Sequence, residues 1–290
     1  MYALDYCAGI GGWELALRQR QLVGLGIENA GWPIAARVAN GLETIWGDLT
    51  TLPRSLQSSF GRRVVGSFPC QPFSQNIKGG ADPLADPRAQ LMLTGLAHLL
   101  FMRPEVVCLE NVVKAAPLMR RLGERLAAKG YAWDVQVVNA ADYGLPQTRK
   151  RALLVARKDG QPVAWPTPTH ANPAASFLVD DGLRKPWVTL AEAVGYSFSG
   201  PQAWGNRLPC CTVVGSFDAH QHAEPRYRSH GDVSRQNDPG AISLTLDQRL
   251  LVQGFPAGWQ LAGPVTQRDL QVGNAIPPVL ADVALTAAGL

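Results

Sequence analysis

Cys70 and Glu110 are the residues whose types and settings favour covalent chemistry. Cys70 lies in the run Pro69-Cys70-Gln71-Pro72-Phe73-Ser74, at the end of an apolar, strand-like stretch. A cysteine held between prolines at a strand end is rigid and exposed, which suits a nucleophile better than a buried structural thiol. Glu110 ends the next such stretch, in Leu109-Glu110-Asn111-Val112, within expected reach of the same substrate. The pair predicts attack on a bound substrate by the Cys70 thiolate.

Three earlier strand ends carry residue types that bind a nucleoside. The first ends in the glycine-rich turn Asp5-Tyr6-Cys7-Ala8-Gly9-Ile10-Gly11-Gly12-Trp13, which permits close backbone approach to a cofactor. Glu28 lies 23 residues after Asp5, near the spacing at which an acid reaches ribose hydroxyl groups. Asp48 follows the third strand and suits an adenine amino group. Taken alone, both acids also fit helix N-caps or solvated loops.

These residues are positioned by an alternation of strands and helices that is typical of a parallel α/β sheet. We predict strands at Tyr2–Tyr6, Val23–Ile27, Glu43–Trp46, Arg63–Ser67, Val106–Leu109, Trp133–Asn139 and Ala152–Ala156. We predict helices at Trp13–Gln21, Ile34–Asn40, Ala89–Phe101 and Pro117–Lys129, the last ended by Gly130. Ligands of such sheets bind beyond the carboxyl ends of the strands, so the residues above fall at one edge.

The alternation stops near Lys158, and this change divides the chain. Residues 1–158 are expected to form a catalytic and cofactor-binding domain. Residues 159–246 are rich in Gly, Pro, His and Ser and predict a small irregular domain. Residues 247–290 end in a helix rich in Ala, Leu and Val and are expected to return to the first domain.

Composition sets broad limits on function. The 290 residues have a net charge of +4, which is compatible with a polyanionic partner but decides little. The chain lacks a membrane-length apolar run and a signal-peptide pattern, so we expect a cytoplasmic protein without membrane contact. Its five cysteines form no C-x-x-C pair, which favours reduced thiols and argues against a metal site.

Six runs occur in the order found in one enzyme family. They are Asp5 to Trp13, Pro69 to Ser74, Glu110-Asn111-Val112, Gln147-Thr148-Arg149-Lys150-Arg151, Gln253-Gly254-Phe255-Pro256 and Gly273-Asn274-Ala275-Ile276-Pro277-Pro278. This series resembles the ordered motifs of the DNA (cytosine-5)-methyltransferases, and it covers the chain outside residues 159–246. The resemblance implies a Rossmann-like, S-adenosylmethionine-dependent methyltransferase sheet with helices on both faces and a small target-recognition domain.

The resemblance implies a mechanism with four catalytic residues. Carbon 5 of cytosine is a poor nucleophile, so the Cys70 thiolate adds to C6 and activates it. A protonated Glu110 in a dry pocket donates to N3 and holds the exocyclic amine. Arg149 and Arg151, two residues apart and expected on the same side of a strand, fix the O2 edge of the base. The group that removes the C5 proton is left open.

The family's cofactor positions are carried over residue by residue. The implied ligands of S-adenosylmethionine are Asp5, Cys7, Ala8, Gly9, Gly11, Gly12, Glu28, Asp48, Leu49, Pro69, Leu91, Asn274 and Ile276. The chain departs from the family at Cys7, where Phe is usual, and at Asn29, where an aromatic residue often stacks on adenine. Adenine stacking here falls to Trp32 or to aliphatic side chains.

The resemblance also implies that double-stranded DNA is the partner and that the target base is flipped out of the helix. Ser74 to Arg88 resembles the family's mobile catalytic loop, with Gln75 or Asn76 placed to fill the vacated space. Arg88, Arg226 and Arg228 are expected DNA contacts, the last two in a cluster with Tyr227 and His230. Residues 159–246 hold six basic and eight acidic residues, so phosphate contacts are expected largely from the catalytic domain.

Two other functions stay open at this stage. One branch of the family acts on tRNA, so an RNA cytosine-5 methyltransferase is an alternative. A non-catalytic DNA-binding relative is disfavoured because Cys70, Glu110 and Arg149 are all present. We expect a monomer without a metal, from a prokaryote or phage and nucleoid-associated when bound to DNA. The recognition sequence and the choice among restriction–modification, phage self-protection and regulation are undetermined.

Overall fold

A computed structural model describes residues 2–51, 62–69, 87–173, 184–199, 205–214 and 244–290, with only the backbone at 87–90. Its strands are β1 Tyr2–Tyr6, β2 Val23–Glu28, β3 Thr44–Trp46, β4 Arg63–Ser67, β5 Val106–Val112, β6 Ala132–Asn139, β7 Gln147–Thr148, β8 Lys150–Arg157, β9 His170–Ala171, β10 Lys185–Pro186 and β11 Cys210–Cys211. Its α-helices are α1 Gly12–Gln19, α2 Gly31–Ala39, α3 Pro87–Met102, α4 Ala116–Ala127, α5 Leu190–Val194, α6 Leu246–Val252, α7 Val265–Asn274 and α8 Pro278–Ala287, and short 3₁₀ turns cover Val113–Ala115 and Ala140–Tyr143.

The central sheet is seven-stranded and mostly parallel, with the order β3-β2-β1-β4-β5-β8-β6. The pairs β1–β2, β2–β3, β1–β4 and β4–β5 are parallel, and β8 runs antiparallel to β5. All seven predicted strands and four predicted helices are present, with bounds shifted by at most three residues. The α/β prediction is confirmed.

Strand β5 is longer than its predicted range of Val106–Leu109. Its antiparallel partner β8 extends the ladder, with Glu110 opposite Leu153 and Val112 opposite Arg151. Glu110 therefore lies inside a strand with a neighbour on each side, since Ser67 of β4 pairs with it as well. Paired backbone on both sides fixes the position of this side chain more firmly than a strand end would.

Helix α4 shows how the apolar pattern fixes a helix on the sheet. Met119, Leu122 and Leu126 are buried and recur at the three- and four-residue spacing of one helical face. Gly123 belongs to the same face, and a Cβ atom there would overlap the ring of Trp133. The glycine thus lets the indole pack against the helix backbone. Gly130, with φ +86°, follows the helix as predicted.

The described residues belong to two compact units. The first comprises residues 1–138, 151–166 and 281–290 and holds the large sheet; the second comprises 139–150 and 167–280. The boundaries of these units differ from the predicted domain boundaries after residues 158 and 246. The division into a catalytic and a target-recognition domain stays a prediction.

In the second unit the described regular elements are short outside α6 and α7. The strands β9, β10 and β11 have two residues each, and α5 has five. Helix α6 begins with a capping box between Thr245 and Gln248, in which each side chain bonds the other residue's backbone N–H. Among the described helices, none is long and apolar enough to cross a bilayer.

Candidate active site

The turn after β1 leaves room for a ligand. Cys7, Gly9 and Gly11 have φ angles of 58°, 53° and 100°, in the left-handed region that glycine adopts readily. A Cβ atom added at Gly9 would meet no atom within 4 Å. Open space therefore lies beside the backbone of this turn, and this fits the cofactor position expected for Asp5 to Gly12.

Glu28 is fixed beside that turn by backbone N–H groups. Its Oε2 accepts a hydrogen bond from the N–H of Gly9 at 2.9 Å, and its Oε1 accepts from those of Asn29 and Ala30 at 3.0 Å each. The bond from Gly9 joins the acid of β2 to the turn after β1. The structure thus brings together two parts of the predicted cofactor site.

Asp48 is held as a carboxylate after β3. Its Oδ1 accepts hydrogen bonds from the Thr50 N–H at 2.8 Å and from the Thr50 hydroxyl at 2.7 Å. These bonds from Thr50, and one from the Asn29 side chain, lower the pKa of Asp48. An ionised carboxylate is a hydrogen-bond acceptor only, which is what an adenine amino group requires.

The remaining predicted cofactor residues of the first unit differ in exposure. Leu49 is buried in the core, whereas Pro69 and Leu91 are half-buried. Trp32 is 48% exposed in the first turn of α2, and Trp46 is 75% exposed and in register with Glu28. Trp46, two residues before Asp48, is a second exposed aromatic ring in this region, and the motifs of the sequence did not indicate it.

A buried arginine that the sequence analysis did not single out holds this region together. Arg37 of α2 donates from Nε to the Thr44 hydroxyl at 2.9 Å, from Nη1 to the Ala8 carbonyl at 3.2 Å and from Nη2 to the Glu43 carbonyl at 3.1 Å. Nη2 also forms an ion pair with Glu14 of α1. Burial alone lowers the pKa of Arg37, but the carboxyl groups of Glu14, Asp5 and Glu28 together outweigh it and raise that pKa. Arg37 therefore links the cofactor turn, α1 and β3.

Two glycines of β2 make space for this buried ion pair. A Cβ atom at Gly24 would lie 2.5 Å from Glu14 Cγ, and one at Gly26 would overlap the Arg37 guanidinium and lie 2.7 Å from Ala8 Cβ. Residues two apart in a strand face the same side of the sheet. The Gly-x-Gly pattern of β2 was thus the sequence signal for the pair, because glycine otherwise weakens a strand.

Asp5 completes this buried cluster. It pairs in register with Gly26 of β2, which in turn pairs with Thr44 of β3. Its side chain is fully buried, and burial, followed by the charge of Glu14, raises its pKa well above the usual value. A direct contact between Asp5 and the cofactor stays a prediction.

Replacing Asp5 with Asn is expected to change how stability depends on pH. The folded-state pKa of Asp5 lies above its usual value of 3.8, so its contribution to stability is lost as the pH rises above that value and through the folded-state pKa. Asparagine does not titrate. The unfolding free energy of Asp5→Asn minus that of the wild type should therefore increase as the pH rises above about 4. Urea unfolding at a series of pH values measures it, and a constant or falling difference contradicts the assignment.

The chain leading to Cys70 is anchored up to Pro69. Asn111 of β5 donates from Nδ2 to the Phe68 carbonyl at 3.3 Å, and its Oδ1 accepts from the Val112 N–H at 2.8 Å. The Phe68 ring is buried, and a side chain at Gly95 of α3 would overlap it. Asn111, a neighbour of Glu110 in sequence, thus fixes the backbone two residues before Cys70.

Glu110 and Arg151 form a buried ion pair in the first unit. Nε of Arg151 lies 2.9 Å from Oε1 of Glu110, and the two side chains are 13% and 7% exposed. The antiparallel pairing of β5 with β8 creates this contact, because it places Arg151 opposite Val112. The structure brings together two of the predicted catalytic residues.

Arg149 has other partners, although it lies only two residues before Arg151. It belongs to the second unit, and its guanidinium donates to the Val213 carbonyl at 2.8 Å, the Gly273 carbonyl at 2.9 Å and the Ala275 carbonyl at 3.1 Å. Its side chain is 1% exposed. These contacts tie the segment before β8 to two later segments of the same unit. A contact with the base stays a prediction.

Two glutamines that the sequence analysis did not single out extend this network. Gln147 donates from Nε2 to Gln253 Oε1 at 2.7 Å and accepts from the Val213 N–H at 2.9 Å, and Gln253 donates to the Val272 carbonyl at 2.8 Å. Both side chains are fully buried. Of the predicted cofactor residues in this unit, Ile276 is buried and Asn274 is exposed at the end of α7. Their role stays a prediction.

Several predicted residues lie outside the described part of the chain: Cys70, Gln75, Asn76, Arg226, Arg228 and the side chain of Arg88.

The described thiols are poor nucleophiles. Burial raises the pKa of Cys7, and it raises that of Cys108 to about 12. Cys210 and Cys211 are buried. In the described ranges, no three His, Cys, Asp or Glu side chains converge as metal ligands would.

Comparison with known proteins gives a consistent picture. Residues 1–200 match the family model of the C-5 cytosine-specific DNA methylases. The chain is 26% identical, over 96% of its length and 84% of the relative's, to the type II methyltransferase M1.HphI of Haemophilus parahaemolyticus. It is 28% identical, over 96% of its length and 72% of the relative's, to M.NaeI of Lentzea aerocolonigenes.

A solved structure with a similar fold is the methyltransferase EhMeth of Entamoeba histolytica. The TM-score is 0.72 at 15% sequence identity, and the alignment covers 99% of this chain and 97% of the other. At this identity the similarity concerns the fold. It agrees with the α/β architecture of the central sheet.

Proposed function

Because this chain belongs to the family of C-5 cytosine-specific DNA methylases, we propose that it acts through a covalent bond between Cys70 and C6 of cytosine. Membership makes the protein an enzyme, a DNA (cytosine-5)-methyltransferase that uses S-adenosylmethionine. The proposal adds which residues are catalytic and in which order the chemical steps take place. It also takes a flipped-out base in duplex DNA as the substrate. The observation that carries it is the convergence of Glu110, Arg151 and the anchored Phe68-Pro69 backbone around the end of β4.

In the proposed reaction, the Cys70 thiolate attacks C6 of the base. The Glu110 carboxyl group, which takes up a proton when the base binds, donates it to N3, so that the electrons of the C5–C6 double bond reach C5 as an enamine. S-adenosylmethionine supplies the methyl group that C5 accepts. Removal of the C5 proton, return of the N3 proton to Glu110 and release of the Cys70 thiolate then restore the aromatic ring.

Arg151 and Asn111 position these groups. The contact of Arg151 Nε with Glu110 Oε1 keeps the Glu110 carboxyl group in one place, and the same guanidinium is proposed to contact the O2 atom of the base. Asn111 holds the Phe68 carbonyl and thereby the path of the chain toward Cys70. Near-attack geometry of this kind lowers the entropic part of the barrier.

The cofactor residues proposed are those of the turn Asp5 to Gly12, Glu28 and Asp48. Open space beside Gly9, a Glu28 carboxylate at its rim and an ionised Asp48 suit a methionine moiety, a ribose and an adenine, respectively. Arg37 stabilises the turn, because its Nη1 donates a hydrogen bond to the Ala8 carbonyl. The setting proposed is restriction–modification, as for the type II relatives, and the form proposed is a monomer without a metal.

Covalent trapping tests the function directly. In 5-fluorocytosine the hydrogen that must leave C5 is replaced by fluorine, so methyl transfer leaves the protein bonded to the base. Purified protein would be incubated with radiolabelled S-adenosylmethionine and with duplex DNA or matched RNA containing this base. We expect a labelled complex on DNA that survives denaturation. A complex on RNA alone would move the function to an RNA methyltransferase, and none on either, across all short sequence contexts, would contradict the covalent mechanism.

A further inference from the structure

One exposed segment of the first unit carries the whole net charge of the chain. Residues 113–130 contain five basic side chains and one acidic one, so the segment has a charge of +4. The chain as a whole also has a net charge of +4, and its other 22 Lys and Arg are balanced by 22 Asp and Glu. The basic residues of the segment are Lys114, Arg120, Arg121, Arg125 and Lys129.

These five side chains are exposed, and none forms an ion pair with a residue in the described ranges. Arg121 and Arg125 are four residues apart in α4, so they lie one above the other, and Lys114 precedes the same helix in its 3₁₀ turn. The buried face of α4 packs on the core through Met119, Leu122 and Leu126. We call Lys114, Arg121 and Arg125 the basic stripe.

The arrangement has an energetic cost that a polyanion relieves. Like charges four residues apart destabilise a helix. The exposed stripe gains no compensating ion pair from the described residues. A nucleic acid supplies closely spaced phosphates, and binding them releases condensed counterions, which makes the contact favourable.

The distribution of charge elsewhere points to the same partner. The predicted recognition region, residues 159–246, has more acidic than basic residues, so it is poorly suited to supply most of the phosphate contacts. At 1.5 Å per residue the stripe extends ~16 Å, which corresponds to roughly nine phosphate charges along a duplex. We infer that the basic stripe binds the phosphate backbone of the DNA substrate, outside the base pairs that are read. The inference rests on DNA as the substrate and not on the role of Cys70.

Salt-dependent binding tests the inference. The triple variant Lys114→Gln/Arg121→Gln/Arg125→Gln keeps good helix formers and removes three charges. Each lost phosphate contact reduces the slope of log affinity against log salt by about 0.9, so the slope should fall by about 2.7. At about 0.1 M salt the affinity for duplex DNA should fall between roughly tenfold and 500-fold. Fluorescence anisotropy with duplexes of unrelated sequence measures both quantities.

A second triple variant controls for net charge. Arg18→Gln/Arg62→Gln/Lys158→Gln removes three exposed charges from the same unit but leaves the stripe intact. We expect its affinity to change less than about threefold, through long-range electrostatics alone. Equal losses in the two triple variants would overturn the inference, because net charge would then explain both.

Two further measurements keep the result interpretable. If the stripe variant does not fold, the single variants Arg121→Gln and Arg125→Gln serve instead, each with an expected slope change of about 0.9. A larger loss of affinity for matched duplex RNA than for DNA would overturn the assignment of the partner. Binding is measured without turnover, so a negative result here does not affect the covalent mechanism. Absence of any trapped complex would not affect the basic stripe, whereas a trapped complex on RNA alone would overturn DNA as its partner.

Discussion

Replacing Cys70 with alanine is expected to lower the rate of methyl transfer by on the order of 10⁵-fold, since loss of a nucleophile removes the covalent path altogether. The variant should also form no denaturation-resistant complex with 5-fluorocytosine DNA. Affinity for S-adenosylmethionine should stay close to that of the wild type, because no bond to Cys70 forms before attack. Single-turnover transfer of a radiolabelled methyl group measures the rate, and equilibrium dialysis measures cofactor binding.

Cys108→Ala is the matched control for this experiment. Cys108 lies in the core, in β5. Burial raises its pKa to about 12, and its Sγ lies 3.7 Å from the Ala284 carbonyl. We expect this variant to lose some stability and to keep the trapped complex. A trapped complex that persists in Cys70→Ala, or one that disappears in Cys108→Ala while the protein remains folded, would show that the nucleophile is assigned wrongly.

The largest expected effect on stability follows from replacing Arg37 with methionine. This change leaves the Glu14 carboxylate buried without its partner, beside Asp5, and removes three further hydrogen bonds. Breaking a buried ion pair from one side costs about 3–5 kcal/mol. The unfolding free energy from urea titration should fall by that amount. Variant protein that remains folded should bind S-adenosylmethionine more weakly, because the Ala8 carbonyl is released.

A double-mutant cycle separates the ion pair from general packing. In Arg37→Met/Glu14→Gln no uncompensated charge remains in the cluster, so the double variant should be no less stable than Arg37→Met alone. The two single losses should therefore not add, and their coupling should be about 0.5–3 kcal/mol. Strictly additive losses would mean that the two side chains act independently, in conflict with their contact.

The positions of many predicted site residues could be inferred from the local sequence, because the order of strands and helices places them. Apolar runs of strand length, separated by helical patterns, set the order of the elements, and parallel strands present their carboxyl ends at one edge. Asp5, Glu28 and Asp48 therefore fell on the same edge as Glu110, and the structure joins Glu28 to the turn through Gly9. The motifs around Cys70, Gln147 and Gln253 identified the family without any coordinates.

Other features depended on residues that meet only in the folded chain. Arg37 is an ordinary helical residue in sequence, and its role arises because α2 places it over Gly26 and against Glu14. The partners of Arg149 and Arg151 differ because β8 begins between them and pairs antiparallel with β5. Periodicity determines which face a side chain takes along one element. It does not determine which distant element covers that face. Only the tertiary structure decided that.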